Sequence, residues 1–248
     1  MPAIRPVIAI AVATLLTVAG ATFVGAGGAA GATVHASMGG APNHKLSNST
    51  SSNWSGYAVT GGTYKTVTAT WVQTAVSCTT TAYSSFWVGI DGDTSGTVEQ
   101  TGTEADCNGR TPVYSAWYEM YPKFPFTYSN PVAAGDHFSA TVTTDGKGNF
   151  TLSLSNSTRG WTQTVTKRLK NAKLASAEVI AEAPSSSGGV LPLANFGTVS
   201  FSGAQVNGAA LTSSTPGIDA ITMQSGSTVK AQPSGISNGS FSVTWKHS

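Results

Sequence analysis

The chain predicts an all-β fold, a sandwich or barrel of short strands, on three observations. Hydrophobic periodicity is two rather than 3.6 almost throughout. Clusters of Gly, Asn, Asp and Ser punctuate the apolar runs, as at Thr60-Gly-Gly62 and Asp145-Gly-Lys-Gly-Asn149. The runs are short and closely spaced, which is the pattern of antiparallel all-β domains.

Taken in order, the chain opens with a segment of another kind. Met1 to about Ala32 reads as a secretory signal peptide: Arg5 supplies a positive start, Val7 to Val24 is almost wholly apolar or small, and Ala30-Gly31-Ala32 suits cleavage. A membrane anchor is the competing reading, because the apolar run is nearly long enough to span. Thr33 to about Ser52, rich in Ser, Asn, Gly and Ala, reads as a short propeptide or flexible arm. One domain is expected over 53–248. Its strands are expected at Trp54–Val59, Tyr64–Gln73, Ser85–Asp91, Val113–Tyr121, His137–Thr143, Phe150–Leu154, Trp161–Val165, Ala177–Ala183, Gly197–Phe201, Ala220–Met223 and Ser240–Trp245. The weak helix candidate is Lys167–Ala175.

Only 10% of residues are charged and the formal net charge is +2. No basic stripe is present, so a nucleic-acid partner has little support. The cluster Lys167, Arg168, Lys170 and Lys173 reads as a solvated turn. Cys78 and Cys107 form an even pair in an exported chain and read as one disulfide, tying the loop before Phe86 to the loop after Gln100.

Alternation decides which side chains share a face. Trp117, Glu119 and Tyr121 fall on one side of their strand, with Ala116, Tyr118 and Met120 on the other. Glu178, Ile180 and Glu182 share a side, with Val179 and Ala181 opposite. Val98 shares the side of Gln100. Aromatics interleaved with acids and amides suit the floor of a binding groove better than a core, where unpaired carboxylates are costly, or a plain solvent face.

Several chemistries lose their residues. His35 and His44 lie in the leader or arm and His247 is next to last, so His137 alone falls inside the fold. A Ser-His-Asp or Cys-His site is thereby disfavoured. No HExxH, CxxC pair or His/Cys cluster offers a zinc ligand set. No Walker loop, GxGxxG or GxSxG is present. Carboxylate chemistry remains. Glu119 and Glu182 facing one another across a sugar would make a glycoside hydrolase, and a carbohydrate-binding module would need neither for turnover.

Six motifs occur in order: Asn53-Trp-Ser-Gly-Tyr57, Ala69-Thr-Trp71, Trp87-Val-Gly-Ile-Asp-Gly92, Gln100-Thr-Gly102, Ala116-Trp-Tyr-Glu-Met-Tyr-Pro122 and Ala177-Glu-Val-Ile-Ala-Glu182. Together they resemble the glutamic peptidases, or eqolisins, from about Asn53 to the C-terminus. The resemblance implies a two-sheet antiparallel, concanavalin A-like β-sandwich. It implies a pepstatin-insensitive acid endopeptidase acting on polypeptides through a Gln–Glu dyad, with no metal or organic cofactor. By motif match the Gln is Gln100 and the Glu is Glu182, with Glu178 the alternative. Residues matching Trp87, Asp91, Glu119 and Tyr121 line or support the site, and Trp54 and Glu178 are counted with them. Ser115 and Glu104 depart from the fungal pattern, which has an acid at the first position and Asp at the second. On this reading Glu182 takes a proton from water, Gln100 stabilises the oxyanion, and Glu182 protonates the leaving amine. A base of this kind needs a pKa below the working pH, which suits acid conditions. The mature protein is expected to be secreted, monomeric and free of the membrane.

Overall fold

The computed structural model describes residues 49–248 apart from residue 94. The expected signal peptide and most of the expected arm lie outside the described residues. The strands, in chain order, begin with β1 (Thr50–Ser51), β2 (Trp54–Thr60), β3 (Thr66–Val72), β4 (Ser85–Ile90), β5 (Val98–Asn108) and β6 (Thr111–Tyr121). They continue as β7 (Phe126–Tyr128), β8 (His137–Thr144), β9 (Asn149–Asn156), β10 (Trp161–Arg168), β11 (Ser176–Glu182) and β12 (Ser185–Ser186). The last are β13 (Gly189–Val190), β14 (Thr198–Val206), β15 (Ala209–Ala210), β16 (Ile218–Ser225), β17 (Thr228–Pro233) and β18 (Phe241–Trp245).

One hydrogen-bonded path, β10-β9-β8-β3-β14-β18-β17-β16-β2-β11-β4-β5-β6-β7, makes both layers of a sandwich. β16 pairs with β17 on one side and with β2 on the other, so the sheet turns over there. The halves then face each other, β4 against β3 and β8, β5 against β8 and β9, and β11 against β3 and β14. Pairing along this path is antiparallel; β1 joins β16 in parallel.

Composition separates the layers. In β9, Phe150, Leu152 and Leu154 are buried and alternate with partly exposed Thr151, Ser153 and Ser155, as one core face and one wet face require. In β4 and β11 every residue is buried. Their inner face, with Phe86, Val88, Ile90, Val179 and Ala181, packs on Trp71, Phe138, Leu152 and Phe201 of the other layer. Their outer face belongs to a separate apolar cluster of Trp54, Ala58, Trp87, Val98, Trp117, Ile180 and Ile221, with Tyr121 against it.

Two expectations change. Lys167–Ala175 is not a helix: β10 runs through Arg168, and Leu174 takes a left-handed φ of 57°. The backbone N–H groups of Lys173, Leu174 and Ala175 donate to the Asp91 carboxylate instead of to carbonyls one turn back. The Cys78–Cys107 disulfide forms, but Cys107 lies on β5 rather than in a loop. The basic residues Lys167 and Arg168 are exposed but lie on β10 rather than in the expected turn, with the Lys167 ammonium 5.3 Å from the centre of the Tyr118 ring.

Candidate active site

Five adjacent strands carry the polar side chains of the outer face, and their register decides which of them meet. Ala58 of β2 pairs with Glu178 of β11, Glu178 with Gly89 of β4, Gly89 with Gln100 of β5, and Gln100 with Glu119 of β6. Asp219 of β16 extends this row past Ala58. The next row reads Gly56, Ile180, Trp87, Gly102 and Trp117, and the one after it Trp54, Glu182, Ser85, Glu104 and Ser115. Gln100 and Glu178 are therefore level, two strands and roughly 10 Å apart at the backbone. The residue between them is a glycine. Glu182 is two rows away, a step of about 13 Å along its strand.

Side-chain partners sharpen the difference. Gln100 Nε2 donates to Glu119 Oε2 at 2.7 Å, which fixes the amide end for end. Glu182 accepts from Asn53 Nδ2 at 2.9 Å on Oε1 and from Trp87 Nε1 at 2.8 Å on Oε2. Neither oxygen of Glu178 has a well-formed hydrogen bond among the described residues. Gly89 cannot be replaced without cost: a Cβ there would stand 2.9 Å from Trp87 Cζ3 and 3.2 Å from Gln100 Cβ.

Burial dominates the electrostatics. It pushes Glu178 well above the usual carboxylate range; the nearby Ser176 side chain opposes this, and Asp93, Asp91 and Glu99 add to it. Burial pushes Glu182 up to about 8 against donation from Trp87 and Asn53 and the nearby Trp54 side chain, with Glu104 adding repulsion. Glu119 also rises to about 8, through burial first, opposed by Gln100 and reinforced by Glu182 and Glu104. Burial and the neighbouring acids thus hold all three carboxyls above their ordinary range.

The remaining residues divide. Trp54 and Trp87 lie on the floor, their rings edge to face at 4.9 Å, and Tyr121 packs at its margin. Asp91 is not a groove residue. It ends β4 with a φ of 68°, and its carboxylate holds the chain just before β11. The departures from the fungal pattern meet each other, Ser115 Oγ donating to Glu104 Oε2 at 2.7 Å. Asn53 had no role assigned from sequence beyond its place in a motif; its hydrogen bond to a residue 129 positions away left no local signal. Asp93, raised to about 6 by burial and by Asp219, sits on the turn after β4.

The chain is similar to known proteins in sequence and in fold. Aspergillopepsin-2 of Aspergillus niger is 30% identical over 182 residues, covering 62% of this chain and 64% of its own length. Scytalidopepsin B of Scytalidium lignicola is 39% identical over 124 residues, covering 48% of this chain and 45% of its own. The match therefore spans between about half and two thirds of these relatives. A crystal structure of scytalido-glutamic peptidase with a peptide-based transition-state analogue superposes with a TM-score of 0.64 at 28% identity, over 79% of this chain and 98% of that one. The family model described as the Peptidase A4 family matches residues 52–245, nearly the whole described sandwich, and the chain belongs to that family.

Proposed function

We propose that the protein is a secreted endopeptidase active in acid, with Gln100 and Glu178 as the reacting pair. The carrying observation is the single row Glu178–Gly89–Gln100–Glu119, in which a bare glycine separates an amide from a carboxyl group that has no well-formed hydrogen bond. Glu182, the choice by motif order, has both oxygens committed to Asn53 and Trp87. The peptide-based analogue bound by scytalido-glutamic peptidase supports a polypeptide substrate. The disulfide supports export.

In the proposed reaction a water between the two groups loses a proton to ionised Glu178 as its oxygen bonds to the scissile carbonyl carbon. The carbonyl oxygen takes the electron pair and accepts a hydrogen bond from the Gln100 amide. Oxyanion donors of this kind contribute roughly 3–4 kcal/mol. Collapse breaks the C–N bond, and Glu178 returns the proton to the amine nitrogen. Glu119 keeps the Gln100 N–H end turned correctly. A raised pKa makes ionised Glu178 a stronger base while reducing its population in acid, so activity climbs with pH through the acid range. Pepstatin, which addresses paired aspartates, is not expected to inhibit.

The test is digestion of a denatured protein in acid with pepstatin present, by the chain expressed for export and by its Glu178→Gln and Glu182→Gln forms, each checked for folding. Loss of at least about 100-fold in Glu178→Gln with Glu182→Gln much less affected supports the pair. The reverse result returns the base to Glu182. A folded wild type that cleaves a soluble β-glucan and no protein sinks the peptidase reading.

A further inference from the structure

Glu182 remains to be explained: a fully buried carboxyl, outside the row that carries the proposed chemistry, yet with both oxygens engaged. Its partners are instructive. An indole N–H can only donate, and the Asn53 nitrogen also donates here, so the group facing them must offer two acceptors. A carboxyl group meets both donors with its two oxygens, and a side-chain amide, with one oxygen, does not.

Trp87 connects this group to the reacting row. Its Nε1 lies at Glu182, while Cζ3 and Cε3, at the other end of the indole, lie 2.9 and 3.3 Å from where a Cβ of Gly89 would be. Gly102 across the β4–β5 pairing is equally tight, since a Cβ there would come within 2.6 Å of Trp87 Cβ. The Trp54 ring abuts the indole edge to face. The ring thus runs along β4 from Glu182 to the glycine that separates Gln100 from Glu178.

We infer that Glu182 is a positioning residue: it holds the Trp87 indole lengthwise along β4 as one side of the gap between Gln100 and Glu178, and acts on the reaction only through that ring. The inference rests on the Gln100–Glu178 reading. Without the carboxylate, Trp87 Nε1 loses a buried acceptor, and the ring turns to find another. The gap then changes shape by a fraction of a ring width, and displacements near 1 Å can cost about 100-fold in rate.

The test is a double-mutant cycle on peptide cleavage, with kcat and KM measured for Glu182→Gln, Glu182→Leu, Trp87→Phe and the Glu182→Leu/Trp87→Phe pair. Glu182→Gln keeps one acceptor for Trp87 while the Asn53 amide turns over, and is expected to lose less than about 10-fold. Glu182→Leu and Trp87→Phe are each expected to lose about 100-fold, mainly in kcat, and the double variant no more than the worse single one. Tryptophan emission provides a second readout: the difference between wild type and Trp87→Phe reports this indole, and Glu182→Leu is expected to shift it. Losses that multiply in the double variant overturn the inference, as does a Glu182→Gln form as inactive as Glu178→Gln. If Glu182→Leu does not fold, the same cycle run with Glu182→Gln decides, since any loss it shows must vanish in the Trp87→Phe background. An active Glu178→Gln form would instead defeat the underlying site assignment, whatever the cycle gives.

Discussion

At the scale of single residues the site depends as much on what is missing as on what is present. Gly89 has no unusual backbone conformation to protect, so its importance is steric: a methyl group there meets the Trp87 ring and the Gln100 Cβ. Gly89→Ala is expected to fold, because the obstruction lies on the outer face and the ring can give way by a few tenths of an ångström. It is also expected to lose about 100-fold in kcat/KM, since it fills and distorts the gap. Near-normal cleavage by a folded Gly89→Ala protein would show that the gap is not where substrate reacts. This scale also marks where sequence reading stops. Residues i and i+4 of a strand share a face, so alternation brings Glu178 and Glu182 forward together and cannot choose between them. The choice lies in register, which pairs Glu178 with Gly89 and Glu182 with Ser85, and register is written in strands far apart in the chain.

At the scale of elements, the segment before β11 is held by a side chain from another strand. Asp91 accepts three consecutive backbone N–H bonds at 2.8–2.9 Å and so sets where β11, with Glu178, begins. Asp91→Ala strands those donors, and each unsatisfied group costs about 1–3 kcal/mol where it is buried. A lowered urea midpoint and a disproportionate loss of activity are expected, because the displaced strand carries Glu178, the proposed base. A midpoint unchanged from wild type would mean that water replaces the carboxylate without loss. The helix expected at Lys167–Ala175 failed for this same reason: local composition tolerates a helix, but a carboxylate more than eighty positions upstream claims the N–H groups. Strands with plain alternation, such as β9, were legible because one face is core. β5 was not among the expected strands. It is buried on both faces and mixes Glu99, Gln100 and Glu104 with glycine, so no alternation announces it, although it carries the site's amide.

At the scale of the whole molecule the buried acids set the conditions under which the sandwich persists. Burial is the largest cause raising Glu99, Glu119 and Glu182 to about 8 and Asp93 to about 6, from ordinary values of 4.5 for Glu and 3.8 for Asp. A carboxyl whose folded pKa lies above its unfolded one binds more protons when folded. Stability then falls as pH rises between the two values, and the contribution is fully present only below the unfolded one. Asp136 has the opposite sign. Burial works to raise it, but Asn156, Arg159 and the Ala133 N–H together outweigh that and hold it low, so its smaller contribution is lost in acid. Asp106 and Glu178 are raised as well, so six raised carboxyls stand against lowered Asp136 and Asp145, and the balance falls on the acid side. The melting temperature is accordingly expected to be highest near pH 4 and to fall steadily toward pH 8, by roughly 2–4 °C for each kcal/mol lost. Proteolysis should rise with pH as Glu178 ionises and then collapse where the fold gives way, so that the alkaline limb of the activity profile follows unfolding and not the chemistry. Glu99→Gln tests this effect: Glu99 lies on the face of β5 opposite Gln100, level with Ile90 and Met120, and its loss also removes one cause of the rise in Glu178, which moves the acid limb down while the alkaline limb follows stability. Replacing it removes one titrating carboxyl, flattens the fall in melting temperature and carries the alkaline limb upward with it. A melting temperature independent of pH from 4 to 8 in wild type would break the link between these acids and the working range.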